Sequence, residues 1–265
     1  MSIVAHSAEL VVVGTLLGAI VGSFLNVVIW RVPRGESVVR PPSHCPRCGS
    51  KVGARDNIPI LSWMILGGRC RGCRERISAR YPAVEALTAA VFGLIAWRAH
   101  SVWELPAFYY LAAVGIALAF IDFDTHRLPD ALTLPAYPLS AALLVLAALG
   151  EGEPVRLLHA AIGLCALYAL YYALALVKPG GMGFGDVKLA GVIGMQLGFL
   201  GWGPLLVGAF LAFFLGGVGG VALMVAGRAG RKSKVPFGPY MVAASLIAIV
   251  AGVSLAHAYS HAFLS

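Results

Sequence analysis

Residues Val187 to Ala226 read VKLAGVIGMQLGFLGWGPLLVGAFLAFFLGGVGGVALMVA, and Lys188 is the only charged side chain among them. As a single helix this run would reach roughly 60 Å at about 1.5 Å per residue, about two hydrocarbon thicknesses of a bilayer. Gly201-Trp202-Gly203-Pro204 supplies the natural turn, so the run predicts two membrane spans, 187–200 and 204–226.

Outward from that run, apolar segments of spanning length recur at 10–30, 83–97, 106–121, 131–149, 155–177 and 237–257. The predicted fold is an all-α polytopic membrane protein of about eight transmembrane helices. Composition agrees: 59% of the 265 residues are hydrophobic and 12% charged, with a mean hydropathy of +0.84. A soluble domain carries about twice that charge.

The first apolar run could pass for a signal peptide, but no Lys or Arg precedes Arg31 and no small-residue cleavage site follows. It reads as a retained span. Eleven of the 20 Lys and Arg residues lie between Arg31 and Arg80, and Arg228, Arg231, Lys232 and Lys234 lie between the last two spans. The opposite loops carry only Arg98 and Arg156. The positive-inside rule then places the amino terminus outside and the long first loop in the cytoplasm. The formal charge of +8 is concentrated beside spans, where that rule and anionic lipid account for it without nucleic acid.

The expected organisation is a first span at 1–30, a cytoplasmic loop at 31–82 and a membrane core at 83–265. The loop contains Cys45-Pro-Arg-Cys48 and Cys70-Arg-Gly-Cys73, two C-x-x-C pairs 21 residues apart. That spacing predicts a four-thiolate structural zinc site, with Gly49 and Gly72 permitting the tight turns. A loop this small lacks a core of its own, so the metal would stabilise its fold. Persistent disulfides do not suit a cytoplasmic loop, and rubredoxin-like iron is the chemical competitor. His44 reads as a bystander and Cys165 as a span residue.

Twelve Asp and Glu residues exist in the chain, and acids at membrane depth are functional candidates. Two clusters qualify: Asp122-Phe-Asp124-Thr-His126-Arg127-Leu-Pro129-Asp130 closes the third span, and Gly183-Phe-Gly185-Asp186-Val-Lys188 opens the sixth. The topology puts both at the cytoplasmic boundary. Two carboxylates brought together from different helices cannot both ionise easily, so one keeps a proton while the other activates water. This is aspartic-protease chemistry on helices. The alternative is that these acids cap helices or pair with Arg127 and Lys188, and for Asp130 the cap is preferred. Asp124 lies two residues from Asp122, and spacing alone does not choose between them.

Seven motifs in order resemble the bacterial type IV prepilin leader peptidase and N-methyltransferase family. They are Gly22-Ser-Phe-Leu-Asn26-Val-Val-Ile-Trp-Arg31-Val-Pro33, the cysteine pairs, Asn57-Ile-Pro59-Ile-Leu-Ser62-Trp63, Arg80-Tyr81-Pro82-Ala-Val-Glu85, the two acidic clusters, and Pro236-Phe-Gly238-Pro239. The resemblance implies that the catalytic pair is Asp122 and Asp186, in a fold similar to other membrane aspartyl proteases with a G-x-G-D motif. It implies substrates that are prepilins and pseudopilins of pilus or type II secretion systems, cut after a glycine at the cytoplasmic face of a bacterial inner membrane. It further implies methylation of the new amino-terminal residue with S-adenosylmethionine as donor. No G-x-G-x-x-G between a strand and a helix marks a donor site, so its residues are unassigned. Glu85 and Asn26 could pair with Arg80, bind substrate, or satisfy buried polar groups.

Two readings compete. A proton-coupled or metal transporter would place acids near mid-membrane on inverted repeats. A zinc-ribbon scaffold without catalysis would make the aspartates structural.

Overall fold

The structure, a computed structural model, describes residues 8–177, 182–227 and 236–263. Nine α-helices run through them: α1 (Ala8–Arg31), α2 (Leu61–Ile65), α3 (Arg80–Arg98), α4 (Leu105–Thr125), α5 (Asp130–Glu151), α6 (Val155–Val177), α7 (Phe184–Leu200), α8 (Trp202–Val225) and α9 (Gly238–Phe263). No strand forms among the described residues, so the all-helical class holds. The basic residues Arg228, Arg231, Lys232 and Lys234, and Gly181, lie outside the described residues.

Every expected span has a helix, but six of them, α1, α4, α5, α6, α8 and α9, are long and apolar enough to cross a membrane. The chain is a multi-pass membrane protein with six clear spans among the described residues, and the expected count of eight would need α3 and α7 as well. The reasons are physical. Helix α7 has 17 residues, about 25 Å of rise, and α3 carries Arg80, Glu85 and Arg98 within 19. The turn after α7 is tighter than expected: Gly201 alone, at φ +121°, separates it from α8.

The chain divides into two compact units, residues 6–98 and 99–265. In the first, α1 lies against α3 along Gly18 and Gly22, which are spaced four apart. A Cβ on Gly18 would stand 2.6 Å from the Thr88 carbonyl oxygen, and one on Gly22 2.7 Å from Glu85 Cα. Small residues at this spacing let helix backbones touch where lipid supplies no hydrophobic drive.

In the second unit α7 is the hub. Its residues from Asp186 to Phe199 are buried except Lys188, and it packs against α4, α5, α6, α8 and α9. Glycine again allows the closest contact, since a Cβ on Gly194 would overlap the Gly163 carbonyl oxygen of α6. At the end where α4 begins and α5 ends, Arg156 joins four helices. It donates to Glu104 Oε1 at 2.6 Å, to Glu151 and to the Phe199 carbonyl at 3.0 Å.

Candidate active site and metal centre

Asp122 occupies the last turn of α4, which ends because His126 turns left-handed at φ 52° and its N–H closes on the Asp122 carbonyl. The side chain points inward, 5% exposed, and Oδ2 accepts the Gly238 amide at 3.1 Å. Gly238 is the first residue of α9, so the carboxylate sits on a helix amino terminus. Asp124 is exposed, two residues further along the same turn.

Asp186 has a parallel arrangement. It is the third residue of α7, 8% exposed, and its Oδ2 accepts the Gly183 amide at 3.2 Å, again at a helix amino terminus. Among the described residues neither Asp122 Oδ1 nor Asp186 Oδ1 has a hydrogen-bond partner. Leu128 packs against the Cβ positions of both Gly185, next to Asp186, and Gly238, whose amide holds Asp122, so the two carboxyls flank one side chain. The helix termini favour negative charge, while burial and mutual repulsion oppose two of them. Such a pair shares one proton most readily, which leaves one oxygen to take a proton and another to give one.

Leu128, in the short loop between α4 and α5, links the two halves. Its Cβ lies 2.8 Å from where a Gly185 Cβ would stand, and its Cδ2 lies 3.3 Å from that position on Gly238. The glycines of Gly183-Phe-Gly185-Asp186 are therefore occupied by protein contacts: Gly185 by Leu128, and Gly183 by Asp186 Oδ2, 3.1 Å from a Cβ there. Nothing in the spacing flags Leu128, since a leucine beside Pro129 reads as ordinary loop.

The other acids separate from this pair. Asp130 makes no side-chain cap on α5 and instead takes Lys188 Nζ at 2.6 Å. The expected cap fails because Pro129, at the cap position, already sets the helix start, leaving the Asp130 carboxylate to bridge α5 and α7.

In the first unit the four cysteines converge. Their sulfurs all lie within 4.8 Å of one another, and Cys45 and Cys73 stand 3.8 Å apart. Tetrahedral coordination at a Zn–S distance of about 2.3 Å implies sulfur–sulfur edges of about 3.8 Å, so Cys45, Cys48, Cys70 and Cys73 fit such a metal. Each pair forms the same hairpin: Cys45 N–H donates to Ser50 and Cys70 N–H to Glu75, closed by the bridges His44 with Lys51 and Arg69 with Arg76.

The Ser50 hydroxyl, 2.9 Å from Cys48 Sγ, pulls that thiol down to about 6 and favours the thiolate a metal needs. Gly49 takes the left-handed position at φ +70° as expected, but its counterpart is Arg74 at φ +59°, not Gly72. Gly72 matters for room, since a Cβ there would lie 3.2 Å from Ser50 Oγ. His44 is exposed and bonds the Pro42 carbonyl, and Cys165 is exposed on α6.

Asn26 donates to the Tyr81 carbonyl at 3.1 Å, joining α1 to α3. Glu85, 8% exposed, accepts the Ile60 amide at 2.7 Å. Ile60 has φ 63°, an outlier for a β-branched residue, and Glu85 holds it there.

Comparison with known proteins follows the same division. Residues 16–99 match the family model described as bacterial peptidase A24 N-terminal domain, and residues 109–221 match that of the type IV leader peptidase family. The chain is 36% identical over 272 residues to a prepilin leader peptidase/N-methyltransferase of Aeromonas salmonicida, covering 92% of this chain and 91% of that one. It is 32% identical over 279 residues to the Pseudomonas aeruginosa protein of that name, covering 96% and 95%. It is 39% identical over 222 residues to the Myxococcus xanthus protein, covering 83% and 65%. No solved structure matches the chain.

Proposed function

Because the chain belongs to the type IV leader peptidase family, we propose that Asp122 and Asp186 form its catalytic pair and cut the leader peptides of prepilins and pseudopilins. The enzyme is a membrane peptidase with an N-methyltransferase activity. The observation that carries the assignment of the pair is their matched setting. Each aspartate is buried at a helix amino terminus with one oxygen held by a glycine amide, and Leu128 packs against a glycine beside each of them.

In this reading the ionised carboxylate takes a proton from water as the water attacks the scissile carbonyl. The protonated partner donates to the carbonyl oxygen, and collapse of the tetrahedral intermediate returns a proton to the departing amine. No metal enters that cycle. The zinc held by Cys45, Cys48, Cys70 and Cys73 would organise the loop. The excess of Lys and Arg between Arg31 and Arg80 puts the cut at the cytoplasmic face of the bacterial inner membrane, with the amino terminus periplasmic. There a basic leader stays in water while the apolar segment of the substrate, beginning after the scissile glycine, lies in the bilayer.

The methyl donor is S-adenosylmethionine, used on the amino-terminal residue that cleavage exposes. With no strand among the described residues, a strand–glycine–helix cradle is not built, so the donor needs a helix- or loop-built site.

The test is cleavage of a prepilin by purified protein in detergent, with Asp122→Asn and Asp186→Asn beside the parent and product mass recorded with the donor present. Loss of cleavage in both folded variants is expected, with an added methyl on the parent's product. Retained cleavage in either variant overturns the pair.

A further inference from the structure

Helix α2 is inside out for a segment in water. Leu61, Met64 and Ile65 share one face at helical spacing and are 56%, 64% and 78% exposed, with Ile58 just ahead of them at 47%. The polar side is the covered one. Ser62 is buried, accepts the Ile58 amide at 3.0 Å and donates to the Arg55 carbonyl at 3.0 Å, while Trp63 donates from Nε1 to the Ile77 carbonyl at 3.1 Å. An apolar stripe presented outward marks a surface that meets something apolar.

The depth of α2 is set by Glu85, which accepts the Ile60 amide at 2.7 Å. Glu85 is the sixth residue of α3, about 7 Å from its start, and helical side chains lean back toward the start. Its Cα lies 2.7 Å from a Cβ position on Gly22, well inside the α1 span. Helix α2 therefore begins level with the ends of the α1–α3 pair, at headgroup depth, rather than out in the aqueous loop. The left-handed turn at Ile60, costly for a β-branched residue, returns the chain to that depth.

Two arginines flank the stripe. Arg69 and Arg76 face each other across the antiparallel bridge of the second hairpin, where like charges repel. The acids of residues 54–85 are committed elsewhere, Asp56 to Arg71 at 2.6 Å, Glu75 to Arg47 at 2.8 Å and Glu85 to the Ile60 amide. Among the described residues neither Arg69 nor Arg76 has an acidic partner. Both line a cleft of about 540 Å³ together with Trp63 and Ser78. An anion there would relieve the repulsion, and an indole beside it suits the boundary between headgroup and hydrocarbon.

We propose that α2 anchors the loop in the cytoplasmic leaflet. Leu61, Met64 and Ile65 enter the acyl boundary, and the cleft between Arg69 and Arg76 takes the phosphate of an anionic phospholipid. The outward apolar face at membrane depth and the unpaired positive charge are independent observations, and an anionic lipid surface answers both. The choice of leaflet rests on the orientation proposed above.

The test places photoreactive benzoylphenylalanine at position 65, and in a second protein at position 64, of the full-length chain in vesicles of equal parts phosphatidylcholine and phosphatidylglycerol, and reads adduct masses after irradiation. The expected product is the chain plus one phospholipid, enriched in phosphatidylglycerol. Arg69→Gln and Arg76→Gln should each lower the ratio of phosphatidylglycerol to phosphatidylcholine adducts about fivefold, the loss expected for one arginine at an anionic surface. Zinc content is read alongside, and the parent's own ratio decides if a variant loses its metal. A crosslink to residues 99–265, a crosslink to a second copy, or no adduct overturns the anchor, as does a parent ratio without enrichment or one that both arginine variants leave unmoved.

Cleavage of prepilin plays no part in these readouts, so the aspartate reading and the anchor fail separately. Trypsin added to intact spheroplasts tests the orientation: digestion of the loop overturns the cytoplasmic leaflet, and protection supports it.

Discussion

The amide of Gly238 donates to Asp122 Oδ2 at 3.1 Å, so the residue that opens α9 fixes the side chain of an aspartate 116 positions earlier. A Cβ at Gly238 would lie 2.8 Å from that oxygen and 3.3 Å from Leu128 Cδ2. Gly238→Ala should therefore displace the carboxylate and lower kcat at least tenfold, the cost of about an ångström of misplacement at a reacting group. Alanine is also the better helix former by about 1 kcal/mol. Thermal stability in detergent should consequently hold or rise while activity falls. Equal losses in both would mean that the contact serves packing rather than the site.

The ends of the helices opposite that site depend on Arg156. Glu104 is 2% exposed and gives Oε1 to Arg156, which also pairs with Glu151 and lies 4.1 Å over the Phe199 ring. Arg156→Ala leaves buried carboxylates without their cation, at a cost of about 3–5 kcal/mol. Arg156→Lys keeps the charge but offers no planar fork and should fall between alanine and the parent. Thermal unfolding of the three proteins in one detergent checks the order.

Much of this molecule is legible from its sequence because solvent writes the pattern. A bilayer demands long apolar helices, so eight of the nine helices appear as hydropathy runs, and charge within those runs marks the acidic clusters. The four cysteines are legible for a different reason, since coordination geometry constrains spacing over a short chain.

What stays hidden is tertiary. That α7 is enclosed from Asp186 to Phe199, except at Lys188, follows from its neighbours, because a lipid-facing helix and a protein-facing one are equally apolar. Leu128 carries no signal for the same reason: a leucine in a loop is ordinary until a fold places it against Gly185 and Gly238, the glycines beside the two carboxylates. Asp130 misled as a cap because its partner, Lys188, lies 58 positions away.

Glycines that are alike in sequence should respond oppositely to alanine. A Cβ on Gly194 would overlap the Gly163 carbonyl oxygen, and backbone cannot yield as a side-chain tip can. Gly194→Ala should cost about 1–3 kcal/mol through overpacking, together with cleavage activity, since α7 carries Asp186. Gly217 on α8 has nothing within 4 Å of its Cβ position, so Gly217→Ala should be neutral or mildly stabilising. Thermal unfolding separates the two, and equal effects would show that α6 and α7 do not approach this closely.

The metal loop gives a sharper contrast, because its two hairpins are near copies that solve one backbone problem differently. The residue after the second cysteine of each pair turns left-handed, as Gly49 at φ +70° and as Arg74 at φ +59°. For a residue with a side chain that conformation costs about 1–2 kcal/mol. No atom lies within 4 Å of a Gly49 Cβ position, so the penalty of Gly49→Ala is conformational alone. Metal binding and folding of the loop are one equilibrium, which makes each backbone change a change in metal affinity. Gly49→Ala should weaken zinc retention about tenfold against a competing chelator, and Arg74→Gly should strengthen it about as much. The parent should hold one zinc per chain, lost on replacing any of the four cysteines by serine. If the Arg74→Gly protein releases metal more readily than the parent, the second hairpin is held by its arginine side chain and the backbone account of the site is wrong.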